Sequence, residues 1–338
     1  MKHFANTIIC LFATAFVVHG QSLTDVAMDS IVREALTSET AAAGGKVAGG
    51  SVVVLENKTG NVRTYVEMKN VDGSWRIQAD GSQAYYPNGC LRAIMYLTLL
   101  ESGVSPDAMY YSSRIYQDAE SGGICLTDRQ LSEPSRLPLK VAMQSSDIAL
   151  LSALEQRFGY SPGEYAFYLN ASGAWLSDTE TDMTLNDFIR EYTEPINFVE
   201  VFNHANAMTG LQMAIWMQSV ANNGMMLAPR FQETDESHTI PALNVKSKNL
   251  EALKTALRDA VVSGQAQNAN SRLAIVSGVT NVASKTSADG LFFCSFCGFS
   301  ASHTVIVNLE SADMEHHFTA ASIARRIFDW IAQNRKDL

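Results

Sequence analysis

The sequence predicts an α+β fold: a five-stranded antiparallel sheet flanked by helices, with an α-helical subdomain inserted between its strands. Three observations carry this. Two strand-like runs sit near the N-terminus and three near the C-terminus. Between them lies a long stretch dominated by apolar helices. A helix with one apolar face stands at each end of the series.

Taken in order, residues 24–36 place apolar side chains at helical spacing. GGSVVVLENKTGNVRTYVEM (49–68) reads as a hairpin turning at Asn57-Lys58-Thr59-Gly60, with its glycine in the turn. Residues 90–102 are apolar almost all round, which suits a helix buried inside a domain. A helix is expected over 137–158, stopping at Gly159, and another over 209–224, stopping at Asn-Gly. Between them, 160–208 reads as short helices and polar connections. Leu250, Leu253, Leu257 and Val261 line one face of a helix over 249–263. VASKTS, LFFCSFCGFS and HTVIVNLE then read as three strands, and a closing helix over 318–334 gathers Ile323, Ile327, Trp330 and Ile331 on one side. The helical insertion runs from about residue 88 to about residue 235, and a cleft between it and the sheet is where a small molecule would bind.

A chain of 338 residues with 46% apolar and 18% charged residues can bury a large core. Its formal net charge of −10, with no Lys/Arg block, argues against nucleic acid or anionic lipid as partner. At the N-terminus Lys2 precedes an apolar run from Ile8 to Val18, too short for an ordinary membrane span. This is the pattern of a signal peptide over residues 1–20, so a mature chain of 21–338 is expected outside the cytoplasm, in the periplasm or secreted, with no further membrane span. Cys90, Cys125, Cys294 and Cys297 then remain, too few for a disulfide scaffold in a chain this long. Cys294-Ser-Phe-Cys297 has redox spacing, but on a strand positions three apart face opposite ways, so buried structural cysteines are expected.

The chemistry-bearing residues lie in three short segments. Tyr86-Pro87-Asn88-Gly89-Cys90-Leu91-Arg92 opens the buried helix, Met143-Gln144-Ser145-Ser146-Asp147 falls in the insertion, and Lys285-Thr286-Ser287 closes a strand. In this order and spacing they resemble the transpeptidase domain of penicillin-binding proteins, relatives of the serine β-lactamases, whose signature is Ser-x-x-Lys, Ser-x-Asn and Lys-Thr-Gly. The flanking hairpin at Val52–Gly60, Thr209–Met213 and Ala221–Gly224 agree, so the resemblance covers roughly 24–335. Lys58-Thr59-Gly60 is a decoy, since it lies in the first hairpin turn.

The resemblance assigns Gly89 to the nucleophile position, Arg92 to the base, and Ser145, Asp147 and Lys285 to the remaining degenerate catalytic positions. Acyl transfer needs a hydroxyl and a base that takes its proton. Gly89 has no side chain, and an arginine keeps its proton. No lysine elsewhere has Ser, Thr or Cys three positions before it. Cys90 is turned by about 100° from the nucleophile direction, so a packing role is expected. Asp147 suggests that an ion pair with Arg92 replaces the family's proton relay. Ser287 puts a side chain where the family has glycine. Ser145-Ser146-Asp147 also reads as a plain helix start with a hydroxyl cap.

The resemblance therefore implies a catalytically inactive, cell-wall-associated binding or regulatory protein, with Ser145, Asp147, Lys285, Thr286 and Ser287 lining the ligand groove. Its expected partner is a peptidoglycan stem peptide or a cell-wall synthesis protein. No cofactor or metal is called for. Two alternatives stand beside this reading. One is an active D,D-transpeptidase, carboxypeptidase or β-lactamase-like hydrolase using a non-standard nucleophile. The other is a structural interaction module with a filled cleft.

Overall fold

The computed structural model describes residues 22–44, 47–78, 84–85, 88–111, 115–117, 124–126, 136–147, 149–173, 196, 198, 208–284 and 290–334. The expected signal peptide lies outside the described residues.

Asp25 starts the first helix, α1 (Val26–Ala42), its carboxylate accepting from the Ala27 and Met28 N–H groups. Strands β1 (Val47–Glu56), β2 (Val62–Val71) and β3 (Ser74–Ile77) follow. Next come helices α2 (Asn88–Glu101), α3 (Leu139–Gln144), α4 (Ala149–Phe158), α5 (Pro162–Ala171), α6 (Gly210–Ala221) and α7 (Ser247–Val262). The chain closes with β4 (Ser277–Ser284), β5 (Phe292–Phe299), β6 (His303–Ser311) and α8 (His316–Asn334). Thr209 and Gln212 form a capping box at the start of α6.

The six strands form one antiparallel sheet in the order β4-β5-β6-β1-β2-β3. Strands distant in sequence therefore meet at its centre, where β1 pairs with β6 along nearly its whole length. The expected count of five is corrected to six. Asp72 and Gly73 both take positive φ between Val71 and Ser74, a two-residue turn that sends β3 back along β2. The dipeptide is a hairpin signal in its own right, and the sequence reading passed over it.

Alternation splits the sheet's residues between two cores. Val52, Val54, Phe296, Val305 and Val307 pack with α1 and α8 on one face. Val53, Leu55, Val279, Cys297 and Ile306 pack with α2, α6 and their neighbours on the other. Each fully buried aliphatic side chain contributes about 1.5–3 kcal/mol, so both layers are strongly held. Gly50 lets α1 close on the sheet, because a Cβ there would stand 2.8 Å from the Asn308 carbonyl oxygen and 3.2 Å from Leu36 Cδ1. Trp216 of α6 is fully buried and donates from Nε1 to the Ser172 carbonyl at 3.0 Å.

The helix expected over 137–158 is two helices. The chain breaks at Ser145–Asp147, where Ser146 takes a φ of 54°. Asp147, rather than a serine hydroxyl, caps α4, with Oδ1 accepting from the Ala149 N–H at 2.7 Å. Gly159 follows α4 as expected, and the chain turns into Pro162 at the start of α5.

At the end of the first hairpin, Asn57 joins three elements. Its Nδ2 donates to the Ser300 carbonyl, its Oδ1 accepts from the Thr304 hydroxyl, and its carbonyl accepts from Asn222 Nδ2. His303 lies beside this junction at 1% exposure, and burial holds its imidazole down at about 4 against an ordinary 6.5. The unfolded chain therefore binds the extra proton between these values, and stability falls as pH drops from 6.5 toward 4. The group's full contribution is on the order of 3 kcal/mol. Urea denaturation across pH 4–7 is expected to show a steeper acid loss for the wild type than for His303→Gln.

Candidate active site

The site is built around the first turn of α2. The chain reaches it from the short strand Ala84–Tyr85, which pairs with Met208–Thr209 just ahead of α6. The two helices therefore start side by side over the sheet. Gly89 is buried, and a Cβ on it would meet Val279 Cγ1 at 3.5 Å, Asn281 Cβ at 3.7 Å and Ser295 Oγ at 3.7 Å. These are ordinary contact distances, so packing does not demand glycine here. The neighbouring Cys90 is fully buried, and its thiol is held well above its ordinary value by a hydrogen bond to Cys297, by burial and by the proximity of that second thiol. A thiol in that state is a poor nucleophile.

Arg92 is 2% exposed, one turn further along α2. Burial lowers its pKa to about 10 while the charge of Asp147 pulls it upward, so it remains a cation at neutral pH. Its Nη1 donates to the backbone carbonyl of Asp147 at 3.1 Å. The expected side-chain pair is thereby corrected: the guanidinium holds the carbonyl of Asp147, while the carboxylate turns to the α4 N-terminus. The break between α3 and α4 causes this, because it makes Asp147 the cap of α4, where its carbonyl accepts from the Leu150 N–H at 3.4 Å and from the guanidinium together.

The two serines of the second segment divide. Ser145 is exposed and donates back to the Val141 carbonyl at 2.7 Å. Ser146, which the sequence reading left aside, donates from Oγ to the Thr280 carbonyl of β4 at 3.2 Å. Gln144 adds two links to the end of α7 and beyond: Nε2 donates to Asp259 Oδ2, and its carbonyl accepts from the Gln265 N–H. The structure thus brings Gly89, Arg92 and Asp147 together with β4. Lys285, Thr286 and Ser287 lie outside the described residues, which resume at Gly290.

Sequence reasoning missed a row of polar side chains beneath this turn. Asn281, Ser295, Asn308, Ser51 and Glu67 stand directly opposite one another across β4, β5, β6, β1 and β2. All are at most 5% exposed, and Asn308 Nδ2 donates to Ser51 Oγ at 3.3 Å. The row lies under Gly89 at one end and under Gly210 of α6 nearer its middle, where a Cβ would be 3.5 Å from both Asn308 Nδ2 and Ser51 Oγ. Burial, together with the Glu67 and Glu310 carboxylates, pushes the Tyr85 hydroxyl far above its ordinary value. The available signal was a polar residue recurring inside otherwise apolar strands, as in FFCSFC and VIVNLE.

A surface hollow of about 270 Å³ lies elsewhere, between residues 109–111 and α4, with the Arg136 guanidinium 4.7 Å from the Tyr111 ring centre. None of the motif residues lines it.

With this geometry in place, the comparisons are direct. Residues 50–329 match the family model of the penicillin binding protein transpeptidase domain, and the chain belongs to that family. No curated protein matches. Among solved structures, the fold is similar to a peptidoglycan glycosyltransferase from Burkholderia ambifaria (14% identity, TM-score 0.68, covering 94% of this chain and 98% of that one). Penicillin-binding protein 3 from Mycobacterium tuberculosis, complexed with aztreonam, is similar at 18% identity and a TM-score of 0.69, over 93% of this chain and 78% of that one. Penicillin-binding protein 2B from Streptococcus pneumoniae strain R6 is similar at 16% identity and a TM-score of 0.72, over 94% of this chain and 60% of that one. At these identities the likeness carries the fold.

The room around Gly89 yields a direct expectation. Gly89→Ser is predicted to leave stability within about 1 kcal/mol of wild type, since helix propensity gains what packing loses. Gly50→Ala, which drives a Cβ against backbone, is predicted to cost about 1–3 kcal/mol. Parallel urea titrations compare the two.

Proposed function

We propose that this protein is an exported, non-acylating member of the transpeptidase family that binds a cell-wall stem peptide, or a protein of cell-wall synthesis, without turning it over. The carrying observation is the pair at the start of α2. Gly89 offers no atom to attack a carbonyl, and Arg92 is a buried cation fastened to the Asp147 carbonyl. A guanidinium that stays protonated cannot serve as the base for a hydroxyl. Cys90, the nearest candidate for a substitute nucleophile, points into the core with its thiol held protonated.

Binding asks less of the site than acyl transfer does. A terminal carboxylate needs only hydrogen-bond donors and a cation, and the third segment supplies Lys285, Thr286 and Ser287 for that purpose. Ser287, where the family has glycine, adds a further hydroxyl donor. The apolar stretch at Ile8–Val18 supports export, and among the described residues no helix is long and apolar enough to cross a membrane.

The test is calorimetric titration of a peptide ending in D-Ala-D-Ala, followed by mass analysis of the recovered peptide. Saturable binding with the peptide returned intact is expected. Lys285→Ala is expected to weaken binding about tenfold or more, a loss of 1.4 kcal/mol or greater. Release of D-alanine would overturn the non-acylating reading, and absence of binding would overturn the peptide-binding one.

A further inference from the structure

The Cys294-Ser-Phe-Cys297 motif and the lone Cys90 acquire a different pairing once the strand is in place. Successive side chains of β5 alternate, so Cys294 packs in the core shared with α1 and α8, and Cys297 in the core shared with α2. On its own face, Cys294 donates from Sγ to the Asp313 and Met314 carbonyls at 3.5 and 3.6 Å. Cys297 is directed instead at the first turn of α2. Its cross-strand neighbour Val279 and its same-face neighbour Ser295 are two of the groups that a Cβ on Gly89 would touch. Cys90 is the next residue along, fully buried in the same core and close enough to Cys297 for the one thiol to act on the other, and both are free thiols in this structure.

We propose that Cys90 and Cys297 are a disulfide-forming pair that clamps the first turn of α2 to the central sheet. This goes beyond the proposed function, since it holds whether or not the groove binds a peptide. The oxidant is a small-molecule or protein disulfide acting by thiol–disulfide exchange. One cysteine thiolate attacks the donor's sulfur–sulfur bond, giving a mixed disulfide and one released thiol. The second cysteine then displaces the other donor thiol. Two cysteine thiols and one donor disulfide become one Cys90–Cys297 bond and two donor thiols, so both electrons and both protons end on the donor. Because both thiols are sealed from solvent in the folded chain, the exchange takes place before α2 docks. The bridge closes a loop running from residue 90 to residue 297, and loops of that length lose much chain entropy in the unfolded state.

To test this, the full chain is refolded from urea into glutathione and glutathione disulfide, and the cooperatively melting fraction is kept. It is then unfolded without reductant, alkylated, digested and analysed by mass spectrometry. A linked peptide joining Cys90 to Cys297, with Cys294 alkylated, is expected. Reduction is expected to lower the melting temperature of the wild type by several degrees and to leave Cys90→Ala unmoved. Full alkylation of both cysteines in the cooperatively melting wild type would overturn the proposal, as would a Cys294–Cys297 link. Peptide mapping of the wild type decides the matter even where the variant fails to fold.

Discussion

A buried guanidinium organises this site. Arg92 is placed in the early part of a helix, where the dipole disfavours a cation, and under a helical layer that excludes water. What offsets both penalties is the second segment: the Asp147 carbonyl accepts one of its hydrogens, and the nearby carboxylate adds its field. That requirement explains the broken helix between α3 and α4. A continuous helix would spend the Asp147 carbonyl on its own ladder. The break at Ser146, in a left-handed conformation that serine seldom adopts, turns it so that it accepts from both the Leu150 N–H and the guanidinium. Ser146 then ties the break to β4, so α2, the α3–α4 junction and the sheet edge form one linked unit.

The sheet shows a second organising feature. Five polar side chains in one cross-strand row lie under the starts of α2 and α6, on a face they share with Val53, Leu55, Val279, Cys297 and Ile306. Burying polar groups is costly unless they find partners. The row places much of that cost where two helix N-termini approach the sheet. The family's architecture is therefore retained around a first turn that carries Gly89 and Arg92.

Much of this was legible in the sequence, and the rest was hidden for identifiable reasons. Periodicity placed α2, α6, α7 and the last two strands, because each has an apolar pattern long enough to fix its period; the strand expected at VASKTS begins earlier, at Ser277. The hairpin at Gly60 was legible because only a turn explains a glycine between two apolar runs. The sixth strand was missed although Asp72-Gly73 announces it, since Ser74–Ile77 is too short and exposed to show alternation. The α3–α4 break left almost no trace, as nothing in Ser145-Ser146-Asp147 demands a positive φ. At the site, Gly89 and Arg92 were readable from residue type alone. The choice of carbonyl over carboxylate at Asp147, and the meeting of Cys90 with Cys297, depend on how distant segments pack, which spacing does not encode.

The central claim is that no group at the start of α2 can attack an acyl donor and none beside it can take up the proton. Intact-mass spectrometry after prolonged incubation with a β-lactam tests it most directly, because such a ligand records any competent nucleophile as a covalent mass. The account predicts the unmodified mass of the chain at every time point. A stable adduct on any side chain would contradict it.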